Sequence, residues 1–511
     1  MGLPEVQRPH CKSRVRNFPV LGLRLKRSGV ALSACLFPWV TLLGLKIRRE
    51  LNQEMNKPGF CRNLCSASLC RIPILVIAFL VLDCQCRADS HSEWKAGVAS
   101  ISMTPEHPVW LAGYSARTKP SEGTAQGLFA KALALEDPSG NRVVLVTADM
   151  LGFPAALSRR VAERVQQKYQ LPRQNLMLSA SHTHSGPVVS RMLAVAYDMS
   201  DEQWLAVDRY TSELEDRIVS LVGKAIQDLV PARLSFGRGE AGFAANRRKA
   251  GGPVDHDVPV LRIEGEKGNV RAVVFGYACH NVTLDGDFYQ CHGDYAGVAQ
   301  EWLESRYSGT LAFFVAGCGG DINPKPRGSL AIAREHGEAL GKAVDRAMSR
   351  SMLKVRGTLR SAWEVFPVRF AVPPDREELQ TRRASNDKFI RRHAQEMLKI
   401  LDRDGRLPIE YPYPLQIWWF GADLTLVALA GEVVVDYTLR LKREIGGQNL
   451  WVAAYCNDVF GYVPSLRILR EGGYEGGGAM IYYVQPGPFD SSIEETIIRK
   501  VHQLLKGIDT K

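Results

Sequence analysis

Beyond residue 88, short, largely apolar runs bounded by Gly, Asp or Asn alternate with longer segments whose apolar residues recur at helical spacing. The runs at 143–147, 175–180, 272–277 and 311–315 predict buried strands, each being too short for a helix and apolar on both alternating faces. Helical periodicity predicts helices over 155–169, 202–229 and 297–306. Strands interleaved with helices predict an α/β fold, layered β-sheets flanked by helices, in a single large domain over residues 89–511. The segment 375–406 is highly charged with spaced apolar residues, which predicts an exposed helical excursion rather than a binding arm. Ser491-x-x-Glu494, ahead of Ile497, Val501 and Leu504, has the form of a capping box and predicts a docked C-terminal helix.

Residues 1–88 read differently. Two apolar runs, 30–47 and 72–82, each follow basic residues (Arg24, Lys26 and Arg27; Lys57, Arg62 and Arg71) in the manner of export signals. The second is too short to span a bilayer and ends in Cys-Arg-Ala before Asp89, so a leader over 1–88 cleaved after Ala88 is expected. The protein is then exported: secreted, periplasmic or anchored through that leader. The stretch up to Glu54 is either an over-long start, with Met55 the initiator, or a membrane-anchoring segment. Cys84 raises a lipoprotein reading, against which Asp83 stands.

Charge sharpens this division. The net charge is +11, and residues 1–88 hold 14 of the 65 Lys/Arg against 4 of the 54 Asp/Glu, leaving 51 against 50 in the body. A neutral body gives no support to a nucleic-acid partner, which needs a basic stripe on a folded surface. Seven of the 11 cysteines also lie in the leader. The remaining Cys279, Cys291, Cys318 and Cys456 are no disulfide scaffold; they are either bridged in an oxidising compartment or buried thiols.

Candidate chemistry gathers at strand ends, where rigid elements position reactive groups. In Ser181-His182-Thr183-His184-Ser185-Gly186-Pro187, His182 and His184 follow an apolar strand; residues at i and i+2 of a strand share a face, so both imidazoles can reach one ion or substrate atom. The alternative is two histidines satisfied by buried hydrogen bonds. His280 closes the apolar run 273–279, His292 precedes Gly293-Asp294, and Glu432 follows the apolar run 424–429, either as a site carboxylate or as an exposed loop glutamate. The turn 317–324 can present backbone N–H groups to an oxyanion or be a plain tight turn; it lacks the Lys-Ser/Thr ending of a P-loop. A second Gly-rich, aromatic-bearing stretch runs from Gly461-Tyr462 to 472–478.

In this order the segments resemble the catalytic domain of the neutral/alkaline non-lysosomal ceramidase family and its shorter bacterial relatives, from about Trp94 to the C-terminal helix. The landmarks are Ala96-Gly97-Val98 to Thr104-Pro105 with Gly113-Tyr114, Thr147-Ala148-Asp149, the His-Thr-His-Ser-Gly-Pro segment, Asn246-Arg247, His280, Gly320-Asp321 to Pro324, Gly431-Glu432, and Tyr462 to Tyr474-Glu475-Gly476. The resemblance implies zinc held by His182, His280, Glu432 and Tyr462 with water in the open position. It implies His184 as proton relay or water orienter, and Arg247 and Tyr474 at the substrate carbonyl. Cys279 and Cys291 are the alternative, softer ligands; His292 and Asp294 stand outside the ligand set, Asp294 helping to shape the pocket.

Two departures bear on the reaction. The family reads Gly-Asp-x-Ser-Pro at the Gly-rich turn, where this chain has Asn323. Asn cannot be acylated, but its amide can donate to an oxyanion. Full-length ceramidases also add a C-terminal β-sandwich, for which the chain leaves no room before Lys511. The expectation is a zinc-dependent hydrolase of an N-acyl amide bond, acting on a small-molecule or lipid acyl-amide and open to peripheral membrane contact. The alternatives are a zinc esterase or amidase on a soluble acylated compound, and a catalytically inactive binding protein that keeps the fold.

Overall fold

The computed structural model describes residues 94–509. The expected leader, with its export signals and Ala88 cleavage point, lies outside the described residues, and no described helix is long and apolar enough to cross a membrane. The α/β expectation holds. The largest sheet runs through Leu311–Ala316, Val270–Tyr277, Asp257–Gly265, Val230–Glu240, Trp94–Ser102, Phe129–Glu136, Arg142–Ala148 and Leu176–Ala180, with Leu353–Val355 also paired to Val230–Glu240. Parallel pairing occurs at its two ends, between Leu311–Ala316 and Val270–Tyr277 and between Arg142–Ala148 and Leu176–Ala180. A second sheet is ordered Leu359–Arg369, Glu410–Phe420, Thr425–Leu429, Leu450–Ala453.

Side-chain alternation explains the layering. Ala130, Ala132, Ala134, Val144 and Val146 meet Leu157, Val161, Leu214 and Ile218 of the helices Ala155–Tyr169 and Asp201–Gln227. Leu133, Leu135, Val143 and Leu145 point the other way, into a cluster with Trp418, Phe420 and Leu426 of the second sheet. Both faces are therefore covered, which is why these strands read as unbroken apolar runs. Each fully buried Leu, Val or Phe there contributes roughly 1.5–3 kcal/mol by leaving water.

The segment after strand Leu450–Ala453 positions the site. Ala454 N donates to Ala316 O (2.9 Å), Ala180 N to Tyr455 O (3.4 Å) and Asn457 N to Leu178 O (2.7 Å). Residues 454–457 thus lace together the two end strands of the large sheet, and the strand ends before Ser181 and His280 come to one place. Tyr455 and Asn457 adopt positive φ (55° and 65°) to make this passage.

The finer expectations divide. The charged segment forms the helices Arg376–Arg383 and Lys388–Asp404, capped by the side chains of Asp375 and Asp387 and closed by Gly405 at φ 73°. The longer helix is no free arm: Lys388 Nζ reaches Asp198 (2.9 Å) and Arg392 Nη1 reaches Val195 O (3.2 Å). The capping box expected at Ser491 is not used. Glu494 accepts instead from Leu466 N (2.8 Å) and Arg440 Nη1 (2.9 Å), because its helix, Ile493–Asp509, packs where another helix needs a cap. A reciprocal box does form at Ser200 and Gln203, ahead of Asp201–Gln227. Cys279, Cys291, Cys318 and Cys456 are buried free thiols.

Candidate metal centre

His182 and His184 converge for a different reason from the one their spacing suggests. The strand ends at Ala180, and His182 has φ 61°, a left-handed conformation costly for a non-glycine residue. The turn is held by Ser181 N donating to Ala148 O (2.9 Å) and His182 N to Met150 O (3.0 Å). Strand alternation is therefore replaced by a turn that folds one imidazole toward the other, with Nε2 atoms 3.3 Å apart. Gly113 makes room for His184: a Cβ there would lie 2.3 Å from His184 Nδ1.

His280 follows strand Val270–Tyr277, its N–H donating to Ile322 O (3.0 Å). Glu432 and Tyr462 are direct partners in a short parallel ladder, Glu432–Val433 against Tyr462–Val463, which sets the carboxylate beside the phenol. Positive φ at Gly431 (81°) and Gly461 (153°) turns both chains into that ladder. His182, His280, Glu432 and Tyr462 all come together, each less than a twentieth exposed.

The hydrogen bonds fix what these groups present. His182 Nδ1 lies 2.6 Å from Leu151 O and His280 Nδ1 2.7 Å from Gly319 O, so each ring donates from Nδ1 and leaves the Nε2 lone pair facing inward. Glu432 Oε2 sits 3.1 Å from His182 Nε2 and 2.9 Å from His280 Nε2, yet no donor is directed at it. Burial, aided by nearby Arg247, pushes the His280 imidazole down to about 4, so it is neutral near pH 7. Burial works to raise the Glu432 carboxyl, and the pull of His182 and His280 that outweighs it needs positive charge on their side of the site, which a bound cation would supply to neutral rings. A carboxylate oxygen and two lone pairs thus face one another in a dry site, an arrangement that calls for a cation. Nitrogen and oxygen donors of this kind fit zinc.

His184 belongs to the cluster but differs in anchoring. Its ring and those of His182 and His280 offer nitrogens all within 4.8 Å of one another. Its Nδ1, however, is buried with no partner, whereas the other two are pinned to carbonyls. Burial holds its pKa well below the ordinary histidine value. A neutral imidazole not locked in one tautomer suits proton transfer better than ligation.

Arg247 spans the opposite wall. Its Nη2 donates to the Tyr462 hydroxyl (3.0 Å), Nε to Glu475 Oε1 (2.7 Å), and Nη1 reaches Asn323 Oδ1 at 3.4 Å. The Tyr474 ring, 48% exposed, lies 5.3 Å from the Tyr462 ring with the guanidinium beside both. Asp321 builds this wall: its carboxylate accepts from Val435 N (2.8 Å) and Asn246 Nδ2 (2.9 Å), and its carbonyl from Arg247 N (2.9 Å). Every residue expected at the site is brought there. Glu475 and Asp321 stood among the sequence landmarks without roles, and Tyr483, whose hydroxyl donates to Glu432 Oε1, carried no sequence signal. Cys279 and Cys291 lie outside the cluster: Tyr295 donates to Cys279 O (2.5 Å), and Cys291 packs in the core beneath the large sheet. His292 accepts at Nδ1 from Asp294 N (2.8 Å), and Asp294 accepts from Leu284 N (2.9 Å), so both shape the adjoining loop.

Fold and site together define an α/β protein with a buried His–His–Glu–Tyr cluster suited to a divalent cation, flanked by a histidine and an arginine. Residues 94–338 match the N-terminal region of the neutral/alkaline non-lysosomal ceramidase family, which bears out the resemblance drawn from sequence. Neutral ceramidase from Pseudomonas aeruginosa is 26% identical over 270 residues, covering 49% of this chain and 40% of that protein. Neutral ceramidase from Drosophila melanogaster is 26% identical over 282 residues, covering 49% and 39%. The chain thus spans about two fifths of the length of these relatives. The crystal structure of neutral ceramidase from Pseudomonas aeruginosa superposes with a TM-score of 0.61 at 21% identity, over 80% of this chain and 75% of that one. A ceramidase complexed with C2 gives 0.63 at 19%, over 79% and 73%. At these identities the structural likeness speaks for the fold.

Proposed function

We propose that the chain is a zinc-dependent hydrolase of an N-acyl amide bond. The observation that carries this reading is Glu432 Oε2, a buried carboxylate oxygen facing two imidazole lone pairs with no donor directed at it. His182, His280, Glu432 and Tyr462 would hold the ion, which supplies Lewis-acid polarisation of the scissile carbonyl and of the attacking water. His184 takes a proton from that water at Nε2, the nitrogen facing the cluster, and returns it to the leaving amine nitrogen. Arg247, oriented by Glu475, and Tyr474 donate to the carbonyl oxygen as negative charge develops there. Asn323 turns its Oδ1 toward Arg247, leaving its amide N–H groups for the same oxygen. The balance is amide plus water to carboxylic acid plus amine.

The relatives' name, neutral ceramidase, and the ceramidase complexed with C2 support a ceramide-like lipid as substrate. The half-exposed Tyr474 ring beside Tyr462 is suited to an acyl chain and to peripheral contact with a membrane. Asn323, where ceramidases carry serine, favours a second reading in which the same centre cleaves a soluble acylated compound. The leader's signals support export. The test is to purify the chain, measure bound zinc, and follow acid release from ceramide alongside a panel of soluble N-acyl amines and esters. Ceramide turnover supports the first reading and turnover of soluble substrates alone the second. A zinc-loaded protein that cleaves none of them is a binding protein.

A further inference from the structure

We infer that Tyr483 is a positioning residue of the centre: its hydroxyl holds Glu432 Oε1 and so commits Oε2 to the space shared by His182 and His280. This rests on the reading of the cluster as a metal centre.

A carboxylate offers two equivalent oxygens on a soft terminal torsion, so burial alone does not decide which oxygen faces the imidazoles. A hydroxyl donating to one oxygen of an anion does decide it, because charge-assisted hydrogen bonds are the strong ones. The two oxygens of Glu432 are accordingly unlike: Oε1 has the tyrosine donor, and Oε2 has none. Tyr483 is itself well placed to act as a fixed donor. Its ring packs over Gly461, where a Cβ would come within 3.9 Å of the ring, and Gln485 Nε2 pins the same segment by donating to Phe460 O (3.0 Å). The carboxylate is thereby fixed from outside the donor set, as partners of metal-ligating carboxylates commonly do.

The segment that carries Tyr483 also carries Glu475, which orients Arg247 at 2.7 Å. One strap therefore fixes a proposed metal ligand at one end and the proposed carbonyl-facing guanidinium at the other.

The test uses Tyr483→Phe in the full chain, with zinc affinity measured by competition against a chromophoric chelator. Affinity is expected to fall about 10–100-fold, the visible spectrum of the cobalt-substituted protein to shift, and the unfolding midpoint of the metal-loaded protein to fall further than that of the metal-free protein. Affinity and cobalt spectrum indistinguishable from those of the unaltered chain overturn the inference. So do metal-free and metal-loaded midpoints that fall together at unchanged affinity, since that is the signature of packing alone. If Tyr483→Phe does not fold, Tyr483→His keeps a donor and must retain more affinity than Tyr483→Leu; equal affinities overturn the inference. A Tyr483→Phe, Glu432→Gln cycle adds a further check, because the tyrosine's effect must shrink once the carboxylate is gone. Should the unaltered chain bind neither zinc nor cobalt, the metal reading and this inference fall together. Tight binding that Tyr483→Phe leaves untouched removes the inference alone.

Discussion

The floor of the site and its rim are built by different means. On the floor, His182 and His280 are anchored through Nδ1 to backbone carbonyls (2.6 and 2.7 Å), and Glu432 is set beside Tyr462 by a backbone ladder. At the rim, Arg247 is held by the side chains of Glu475 and Tyr474 on a strap entered through Gly472 and Gly473 at positive φ, whereas Tyr483 of the same strap reaches the floor at Glu432. Backbone anchoring survives the loss of a neighbouring side chain, whereas side-chain anchoring passes a loss along. Floor substitutions should therefore act all-or-none on the metal, and rim substitutions should act by degrees on the reaction.

The largest effect is expected at His182. His182→Ala removes one donor from the proposed centre and leaves Glu432 Oε2 facing a void; zinc by elemental analysis and hydrolysis of any acyl substrate should both vanish. Full zinc occupancy in this variant would show that the ligand assignment is wrong. Arg247→Ala is the contrasting rim lesion. Zinc should be retained while kcat falls by about 10²–10³, the cost of deleting one oxyanion donor. Glu475→Gln should lower kcat less, because the guanidinium keeps its bond to the Tyr462 hydroxyl. If either rim variant lost its zinc, the division between floor and rim would fail.

The same division marks what could be read from the chain. His182, His184, His280 and Glu432 sit at the ends of apolar runs, and a strand end is legible because its periodicity stops. The convergence of His182 with His184 was legible, but its cause was not: φ 61° at His182 is a tertiary outcome set by hydrogen bonds from Ser181 and His182 to the carbonyls of Ala148 and Met150, not by local propensity. The lacing of 454–457 between the two end strands has no local signature, since it depends on pairings across the whole length of the sheet. The capping box at Ser491 fits the sequence rule and still lost, because Glu494 had stronger partners in Leu466 N and Arg440. Tyr483 was invisible for a like reason: a tyrosine in a Gly-rich stretch declares nothing until Glu432 is placed beside it.

Metal-free protein should show the acid sensitivity of the floor and the loop beside it. His280 and His292 are held down to about 4 by burial, against an ordinary value of 6.5. Between those values the unfolded chain binds protons that the folded chain refuses, so folding stability is complete above about pH 6.5 and declines as pH falls toward 4. The shift at fully buried His280 corresponds to a loss on the order of 3 kcal/mol. Urea titrations of the chelated protein at stepped pH check this, and flat stability between about pH 7 and about pH 5 would contradict the neutral state assigned to both imidazoles. Zinc should protect in the upper part of the window, since a ligand that binds only the folded form adds to its stability.

The smallest effect is expected at Asn323, and it bears most directly on substrate. Asn323 lies 3.4 Å from Arg247, a weak contact at the edge of the rim, and no described bond ties its side chain to the floor. Asn323→Ser should leave zinc content unchanged. If its amide donates to the developing oxyanion, kcat should fall, by less than the factor of about 10²–10³ expected at Arg247. Serine restores the residue that ceramidases carry at this turn, so the informative quantity is the ratio of kcat/KM for ceramide to that for a soluble N-acyl amine. A ratio that rises in the serine variant assigns the position to substrate choice. An equal change for both substrates assigns it to the shared transition state, and the preference must then be set elsewhere on the rim, where Tyr474 is the exposed aromatic side chain.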